Sequence, residues 1–597
     1  MKLIDFNNKD LEWDLVAVEN SHHKLTYKTL ARLIDYLESQ VVSFASVKSR
    51  PFVLLFNNNI EYVATFLAVT RLGPVMPMNS NLPADIMADI VKPLAPSLII
   101  HDPLNATIAK ELGNKIGVET HAVALETALD QSEEYERNND LSHYPAENDT
   151  ALILHTSGTT ATPKCVPLSY KNLQESIKNI VLTLELKKGD RNLNMMPLFH
   201  IHGIVASMLS TLASGGTLIL KDIDYTKIAD YLSLDKPNWY TAVPTIHHKI
   251  YHTLSSRPKP LKHALRFVRS CSSSLSEVLQ QKTQELFKVP IVQAYGMTEA
   301  AHQVATNPIS LTKTRVNSVG TTNNFVSVRI IGDDSRILNT REVGEVCIQG
   351  SNVFEGYMNN PKANKESFID GYFKTGDLGY LDEEGFLFLT GRKKEIINKG
   401  GFKISPLQID QIILKHPQIK EAITFPVPHE TLGDDIGLMI VGDKQLNEQM
   451  IYEFIGNKLP EYMLPTKIYF VDEIPKSATG KINRLSIAKQ LTPAKQASRL
   501  PQSQLEKDLA QVWQKLLMVP NVYLDDNFFQ LGGNSLVAAE FYNHVANQYQ
   551  VFLNPIQLYQ SPTISKMGEI IEACQKNGEE DWLTGVELIL KKYEDQL

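Results

Sequence analysis

The sequence predicts three folded units in series: a large α/β domain, a smaller α+β unit and a small all-α unit. Helical and strand patterns alternate from about residue 25 to residue 400, which is typical of layered α/β architecture. A Pro-, Ala-, Ser- and Gln-rich stretch without hydrophobic periodicity then spans residues 491–504. Helical patterns follow it. A chain of 597 residues is long enough for several domains with large buried cores.

The elements of the first unit follow from local periodicity. Leu30, Leu33, Ile34 and Leu37 stand at i, i+3, i+4 and i+7, which predicts one buried face of a helix. Short apolar runs predict strands at residues 53–56, 98–100, 151–154 and 218–220.

The later units are bounded by changes in composition. A basic turn at residues 392–394 and the glycine pair at residues 400–401 introduce the smaller α+β unit. Helical patterns at residues 505–517, 535–549 and 564–574 form the all-α unit. The predicted boundaries are a core at 1–393, a mobile subdomain at 394–491, a linker at 492–504, an all-α domain at 505–577 and a C-terminal tail helix at 578–597.

Composition excludes several classes of protein. The net charge of −8 argues against a nucleic-acid binder, and no segment has the ~20 apolar residues of a membrane span. The N-terminus shows no apolar leader. The four cysteines are scattered without a CxxC pair, which argues against a disulfide framework or a zinc site. We therefore expect a cytoplasmic enzyme.

Residues 156–164, TSGTTATPK, follow the apolar run at 151–154 and combine hydroxyls, a glycine and a lysine. A glycine turn with exposed N–H groups and hydroxyls can surround a polyanion, and a lysine adds a point charge. The loop is therefore a candidate cradle for the phosphates of ATP, and the alternative is an ordinary polar surface loop. The usual P-loop spelling is absent. The candidate phosphate-binding residues are Thr156, Ser157, Gly158, Thr159, Thr160 and Lys164.

Three further motifs follow in order. In residues 293–299, QAYGMTE, Tyr295 beside Gly296 can lie flat against a base, Thr298 can bond a phosphate, and Glu299 is a hard oxygen ligand for Mg²⁺. Residues 372–377 end in Asp377, whose carboxylate can accept hydrogen bonds from both ribose hydroxyls. Residues 391–394 read GRKK, and residues 475–481 present a lysine on a glycine turn. Each motif alone is weak, but their order and spacing are specific.

These motifs resemble the adenylate-forming superfamily: acyl-CoA synthetases, nonribosomal peptide synthetase adenylation domains and luciferase. The resemblance covers nearly all of residues 10–491. It implies that an acid and ATP give an acyl-adenylate and pyrophosphate, and that a thiol then takes the acyl group. It also implies roles for single residues: Lys481 is the catalytic lysine, Lys394 the hinge, and Arg392 a ribose ligand with Asp377.

The phosphate loop departs from the family's commonest spelling, TGxPKG. Ala161 and Cys165 stand where glycine is usual. If those positions need a positive φ, we expect strain of roughly 1 kcal/mol or more in the loop. Since the other motifs are intact, we expect reduced loop flexibility and retained activity.

Residues 526–536, DNFFQLGGNSL, place Ser535 after two glycines at the start of a predicted helix. A serine there can be a simple N-cap. The whole string, however, resembles the phosphopantetheine site of acyl and peptidyl carrier proteins over about residues 503–577. The resemblance implies a 4′-phosphopantetheine arm on Ser535, a phosphopantetheinyl transferase as partner, and a downstream synthetase or acyltransferase as a candidate partner.

The resemblance to the adenylate-forming superfamily implies an acid pocket that contains His200, His202, Arg269 and His302. The alternative for each histidine alone is a core or water-facing residue. The surrounding strings FHIHG, YTAVPTIH, RSCSSSL and TEAAH resemble oxalate–CoA ligases, whose substrate carries a second carboxylate. We therefore expect a small carboxylic acid, with a dicarboxylate as one candidate, and we count His200 with the catalytic group. Cys271, where many relatives have glycine, would narrow the pocket.

Three functional hypotheses follow. The chain either loads the acyl group onto its own or a neighbouring carrier domain, or uses free CoA as acceptor, or is a non-catalytic nucleotide-binding scaffold. The predicted cofactors are ATP/AMP, Mg²⁺ and phosphopantetheine, with CoA under the second hypothesis. Intact Lys481, Glu299 and Asp377 speak against the scaffold.

Overall fold

The computed structural model covers the three predicted units with gaps. The residues that it describes are 3–4, 12–44, 50–135, 144–155, 164–257, 261–313, 315–429, 432–476, 482–491, 499–517, 519, 521–526, 528, 531, 535–553, 557–558 and 562–577. The predicted tail helix at 578–597 therefore lies outside the described residues.

The large domain is built from strands and helices that alternate along the chain, as predicted. Its strands are β1 (Val16–Glu19), β2 (Lys24–Thr26), β3 (Phe52–Leu55), β4 (Val75–Pro77), β5 (Leu98–His101), β6 (Thr120–Ala122), β7 (Thr150–His155), β8 (Cys165–Ser169), β9 (Arg191–Asn194), β10 (Thr217–Ile219), β11 (Trp239–Ala242), β12 (Phe267–Ser270), β13 (Ile291–Met297), β14 (His302–Thr306), β15 (Ser327–Ile331), β16 (Gly344–Gln349), β17 (Phe368–Ile369), β18 (Tyr372–Leu381) and β19 (Leu387–Arg392). The predicted strands at 53–56, 98–100, 151–154 and 218–220 correspond to β3, β5, β7 and β10.

Its helices are α1 (Tyr27–Val41), α2 (Ile60–Val69), α3 (Ala84–Val91), α4 (Ala106–Ile116), α5 (Leu125–Glu133), α6 (Tyr170–Thr183), α7 (Ser210–Ala213), α8 (Ile228–Leu234), α9 (Pro244–Ser255), α10 (Glu277–Phe287) and α11 (Pro361–Ser367). Helix α1 confirms the predicted pattern: Leu30, Leu33, Ile34 and Leu37 are all buried, and the Thr26 side chain caps the first turn. A π-helical segment, His202–Leu209, precedes α7.

Three sheets organise the described part of this domain. The first has the order β14-β13-β12-β11-β9-β10-β1-β2, the second β6-β5-β3-β4-β7-β8, and the third β15-β16-β18-β17 with β19 on β18. Strands β9, β11, β12 and β13 run parallel, so their carboxyl ends share one edge of the first sheet. In layered α/β folds this edge is where ligands bind.

The smaller α+β unit has one sheet flanked by helices. Its strands are β20 (Ile397–Lys399), β21 (Phe402–Ile404), β22 (Ile419–His429), β23 (Gly433–Gly442) and β24 (Lys467–Phe470). Its helices are α12 (Pro406–Ile413), α13 (Glu448–Gly456) and α14 (Arg484–Leu491). Gly400 and Gly401 form the β20–β21 turn with φ of +57° and +90°, a conformation that favours glycine.

The all-α unit confirms the three predicted helices, now α15 (Gln504–Leu517), α16 (Ser535–Tyr549) and α17 (Ile564–Asn577). Its core contains a cluster of buried aromatic rings, Trp513, Phe528 and Phe541, with ring centroids 5.0 to 5.9 Å apart. Among the helices that the structure describes, none is long and apolar enough to cross a membrane.

Candidate active site

The predicted phosphate loop lies between β7 and β8, an antiparallel pair that joins His155 to Cys165. Residues 156–163 are outside the described part of the chain, so the assignments of Thr156, Ser157, Gly158, Thr159 and Thr160 stay predictions. Lys164 is described, and its Nζ lies 4.4 Å from the ring centroid of Tyr357. The loop therefore ends beside a buried aromatic side chain.

The strain expected at Cys165 is not present. Cys165 is the first residue of β8 and has extended backbone, so it needs no positive φ. The condition for strain, a positive φ, is not met because the strand pairing begins at this residue. Ala161 lies outside the described residues.

Glu299 lies on the short 3-10 turn Thr298–Ala300, directly after β13. It is buried, and the Tyr357 hydroxyl donates to its Oε1 at 3.0 Å. The Phe354 amide also donates to the Glu299 carbonyl at 2.8 Å. Tyr357 thus contacts the predicted magnesium ligand through its hydroxyl and the lysine of the phosphate loop through its ring.

The chain reverses sharply after Glu299. Ala301 and His302 have φ of +46° and +100°, which is uncommon for residues other than glycine. Such backbone strain is concentrated at functional sites, and here it turns His302 back into β14 beside β13.

Asp377 contacts both of the other residues predicted for adenine and ribose. The Tyr295 hydroxyl donates to Asp377 Oδ2 at 2.5 Å, and Arg392 Nε donates to Asp377 Oδ1 at 2.8 Å. Burial, and then the nearby carboxylate, raises the pKa of Tyr295 well above its usual range, so its hydroxyl stays a donor. The charge of Asp377 raises the pKa of Arg392 as well. The Asp377 carboxylate is therefore fixed by two donors on β13 and β19.

Gly296 is required by the packing of the neighbouring strand. A Cβ at this position would lie 2.0 Å from the carbonyl oxygen of His302, on the neighbouring strand β14. The glycine is required because β14 passes too close for any side chain, and its place beside the adenine stays a prediction.

The four predicted acid-pocket residues come together at the carboxyl edge of the first sheet. The His202 and His302 rings are 4.9 Å apart at their centroids. His202 Nε2 lies 2.7 Å from Thr241 Oγ1, and Arg269 Nη1 donates to the same oxygen at 3.3 Å. His200 Nδ1 accepts from the His202 amide at 3.3 Å. Residues far apart in the sequence therefore form one polar cluster, of which His202, Thr241, Arg269 and His302 are buried.

Arg269 is fully buried, with 0% of its surface exposed. Its Nη2 donates to Gln303 Oε1 at 3.0 Å, while its Nε has no hydrogen-bond partner among the described residues. None of the ion pairs among the described residues involves Arg269, and burial lowers the pKa of its guanidinium. Because a buried charge normally needs a counter-ion, the site can receive an anion.

The smaller unit meets the large domain through ion pairs. Lys415, just after α12, pairs with Glu277 of α10 at 3.2 Å, and Lys403 of β21 pairs with Asp333 at 2.9 Å. Lys394, the predicted hinge, is exposed on the short turn Lys393–Glu395. Lys481 lies outside the described residues, so its catalytic assignment is untested.

Helix α16 begins at Ser535, the predicted attachment residue. This agrees with a serine at a helix start, and the glycines that precede it lie outside the described residues.

Sequence reasoning did not single out Gln303 or Tyr357, and it included Thr241 only as a member of the string YTAVPTIH, without a role of its own. Thr241 connects His202 to Arg269, and Gln303 connects Arg269 to α6 through Asn179 Oδ1 at 3.0 Å. Threonine and glutamine carry no distinctive motif, but Gln303 directly follows His302 and could have been suspected. Tyr357 stands in the string EGYMNNP, which we did not single out.

The residues present suit a magnesium–nucleotide complex. No group of three or more metal-ligating side chains occurs among the described residues. Mg²⁺ is usually held by one or two carboxylates together with phosphates and water, and Glu299 beside Lys164 matches that need.

Comparison with known families agrees with this geometry. The AMP-binding enzyme model matches residues 7–358, the AMP-binding enzyme C-terminal domain matches residues 408–481, and the phosphopantetheine attachment site matches residues 507–571. The chain therefore belongs to the AMP-binding, adenylate-forming family and carries a C-terminal carrier domain. It is an AMP-forming acid–thiol ligase.

Individual relatives narrow the comparison. The chain is 36% identical to an oxalate–CoA ligase of Arabidopsis thaliana, over 78% of this chain and 93% of that protein. It is 45% identical to the oxalate–CoA ligase of Saccharomyces cerevisiae, over 58% of this chain and 64% of that protein. A probable CoA ligase of Humulus lupulus is 34% identical over 81% of this chain and 95% of that protein. ATP-bound MatB from Rhodopseudomonas palustris shares the fold with a TM-score of 0.75 at 24% identity, over 82% of this chain and 98% of that one.

Proposed function

We propose that this chain activates a small dicarboxylic acid with ATP and transfers the acyl group to a phosphopantetheine thiol on Ser535. The observation that carries the substrate class is the fully buried guanidinium of Arg269, which lacks an ion-paired carboxylate within the described residues. A second carboxylate on the substrate would supply the missing counter-ion.

The reaction has two steps. An oxygen of the acid's carboxylate attacks the α-phosphorus, the bond to the bridging oxygen breaks, and pyrophosphate leaves. The thiol sulfur then attacks the acyl carbon, its proton is lost, and AMP leaves. The first step brings two anions together, so nearby cations lower its barrier. Lys164 and Lys481 would supply positive charge, and Mg²⁺ held at Glu299 would neutralise charge on the phosphates.

The nucleotide would bind where the predicted residues meet. We assign adenine stacking to Tyr295, the ribose hydroxyls to Asp377 with Arg392, and an α-phosphate oxygen to Thr298. The contacts of Asp377 with Tyr295 and Arg392 support this assignment, because they fix both carboxylate oxygens before ligand arrives.

The acid would bind against the cluster of His200, His202, Arg269 and His302. Its first carboxylate would face the α-phosphate, near His200, and its second would face Arg269. The oxalate–CoA ligase relatives support a short diacid, since oxalate carries two carboxylates on adjacent carbons. Fully buried Cys271 beyond the end of β12 favours a small substrate.

The acceptor would be the carrier domain. The alignment with the Arabidopsis relative covers 93% of that protein but only 78% of this chain. This chain therefore has a region outside the alignment. The phosphopantetheine match at residues 507–571 identifies such a region. Helices α14 and α15 are separated by the segment 492–503, which spans about 40 Å when extended and would let Ser535 reach the site in cis.

Between the two steps, the smaller unit would rotate about Lys394. That rotation would withdraw Lys481 and bring the Gly400–Gly401 turn to the site. The ion pairs Lys415–Glu277 and Lys403–Asp333 cross between the two domains and would have to break. Exposed pairs of this kind are weak, which suits a moving interface.

The alternative acceptor is free CoA, which the names of the relatives favour. The deciding experiment converts the full chain to its phosphopantetheinylated form and supplies ATP, Mg²⁺ and oxalate or malonate, with free CoA added to a parallel reaction. Intact-protein mass spectrometry then weighs the arm, with Ser535→Ala as the unmodified control and Lys481→Ala as the inactive one.

An acyl mass on the arm of wild type, absent from both variants, is the expected result. Pyrophosphate release with acyl-CoA formation and no acyl mass on the arm would replace the proposal with the CoA ligase. If neither wild type nor Lys481→Ala releases pyrophosphate or forms an acyl product with any diacid, the nucleotide-binding scaffold would be favoured.

A further inference from the structure

Tyr357 occupies a rigid position between β16 and α11. Its amide donates to Asn364 Oδ1 at 2.7 Å, and Asn364 Nδ2 donates back to the Tyr357 carbonyl at 3.0 Å. The preceding Gly356 has a φ of +151° and leaves no room for a Cβ, which would lie 2.9 Å from the Asn364 amide. The backbone of Tyr357 is thus fixed by neighbours on its own segment.

The hydroxyl of Tyr357 points to a functional side chain. It donates to Glu299 Oε1 at 3.0 Å. A tyrosine hydroxyl keeps its proton at neutral pH and a carboxylate can only accept, so the hydroxyl is the donor. The bond therefore has a fixed direction, and it fixes one oxygen of the carboxylate.

The ring face of Tyr357 contacts the lysine of the phosphate loop. Lys164 Nζ lies 4.4 Å from the ring centroid, within the range of a cation–π interaction. The next residue, Met358, donates its amide to the Cys165 carbonyl at 3.0 Å. The end of the phosphate loop is therefore attached to this segment through both side chain and backbone.

We propose that Tyr357 is a positioning residue of the nucleotide–magnesium site. Its hydroxyl fixes the Glu299 carboxylate for the metal, and its ring fixes the Lys164 ammonium for the phosphates. This inference rests on the proposed role of Glu299 as the magnesium ligand. It gives one side chain two separable tasks, which two substitutions can tell apart.

A purely structural role would look different. The Tyr357 ring also packs on Phe354 and Phe373, with centroids 4.9 and 6.4 Å away. Packing needs the ring but not the hydroxyl, so Tyr357→Phe would leave a structural contribution almost unchanged.

The first test uses the full chain and Mn²⁺ as a spectroscopic substitute for Mg²⁺. Mn²⁺ binding in the presence of a non-hydrolysable ATP analogue is measured by electron paramagnetic resonance, together with the Mg²⁺ concentration at half-maximal pyrophosphate exchange. For Tyr357→Phe we expect both to weaken about tenfold, because a hydrogen bond to a charged group is lost. Exchange should recover at high Mg²⁺.

The matched control is Tyr372→Phe. Tyr372 is also buried, and its hydroxyl lies 2.9 Å from Ser327 Oγ on β15. The substitution therefore also removes a buried tyrosine hydroxyl, but one that does not contact Glu299. We expect its Mn²⁺ and Mg²⁺ constants to stay within twofold of wild type.

The second test, Tyr357→Leu, removes the ring face as well. Affinity for the ATP analogue without metal should fall about fivefold through Lys164, whereas Tyr357→Phe should leave it unchanged. If Tyr357→Leu and Tyr357→Phe bind the ATP analogue equally well without metal, the proposed role of the ring in fixing Lys164 is overturned.

Glu299→Gln separates this inference from the proposal on which it rests. If Glu299→Gln weakens Mn²⁺ binding and Tyr357→Phe does not, the positioning role of the hydroxyl is overturned alone. If Glu299→Gln leaves Mn²⁺ binding unchanged, the magnesium assignment and the inference both fail.

Discussion

Arg269→Met would separate recognition of a second carboxylate from activation of the first. The guanidinium is fully buried and donates to Thr241 and Gln303, while its Nε lacks a partner among the described residues. Methionine has a similar length and no charge, so it should fill the space and leave the anion without a partner.

The stability of the protein should change little. Thr241 keeps its contact with His202. Gln303 keeps Asn179 through its Nε2, but its buried Oε1 loses the donor that Arg269 provides. Two hydrogen bonds, each worth about 1 kcal/mol, are lost, and removal of an unpaired buried charge offsets that loss. We expect the free energy of unfolding to move by less than about 2 kcal/mol.

The effect on the diacid should be much larger. Removing one partner of a buried ion pair costs about 3–5 kcal/mol, so kcat/KM for the diacid should fall by roughly two to nearly four orders of magnitude. A monocarboxylic acid of similar size makes no such pair, and its kcat/KM should stay within a few-fold. The ratio of the two constants is therefore the measured quantity.

The assay is acid-dependent exchange of pyrophosphate into ATP, run with oxalate or malonate and with acetate or propionate. The control is Arg266→Met, because Arg266 lies next to β12 and pairs with Asp190 at 2.5 Å, outside the acid-pocket cluster. If the ratio of kcat/KM for the diacid to kcat/KM for the monoacid is unchanged in Arg269→Met, the reasoning is refuted. A wild-type protein that accepts a medium-chain fatty acid as readily as a short diacid would also refute it.

Two further predictions concern the nucleotide and the effect of pH. Asp377→Asn should weaken ATP binding about tenfold or more by calorimetry, since a charged acceptor for ribose is lost. The control is Asp333→Asn, because Asp333 forms an exposed ion pair with Lys403. An equal loss of ATP affinity in both variants would contradict the ribose assignment. Burial lowers the pKa of His247 to about 4. The unfolded chain therefore binds a proton that the folded chain does not between pH 6.5 and 4, so stability falls as pH falls through this window, by about 2 kcal/mol from pH 7 to pH 5. Chemical unfolding of His247→Gln should show a smaller decrease, and an identical pH profile would exclude this histidine as a cause.

Local patterns in the sequence determined the units of the fold. The stripe of Leu30 to Leu37 predicted α1, and the apolar run before the phosphate loop predicted β7, because periodicity reports which face of an element is buried. Tyr295 and Asp377 were predicted for a related reason, because each lies in a short motif whose residue types suit one part of a nucleotide. The role of Arg392 came from the family resemblance, and all three roles stay predictions.

Only the tertiary structure decided how these elements meet. Strand register places Thr241 opposite Arg269, and the turn at Ala301 and His302 brings Gln303 beneath them, which no local pattern specifies. Tyr357 reaches Glu299 across 58 residues of sequence through a contact that depends on the packing of two separate segments. Even Gly296 is explained by a neighbouring strand that passes too close for a side chain. Periodicity records burial one residue at a time, whereas hydrogen bonds and buried charges depend on pairs of residues, and pairing is fixed only when the sheets and helices pack.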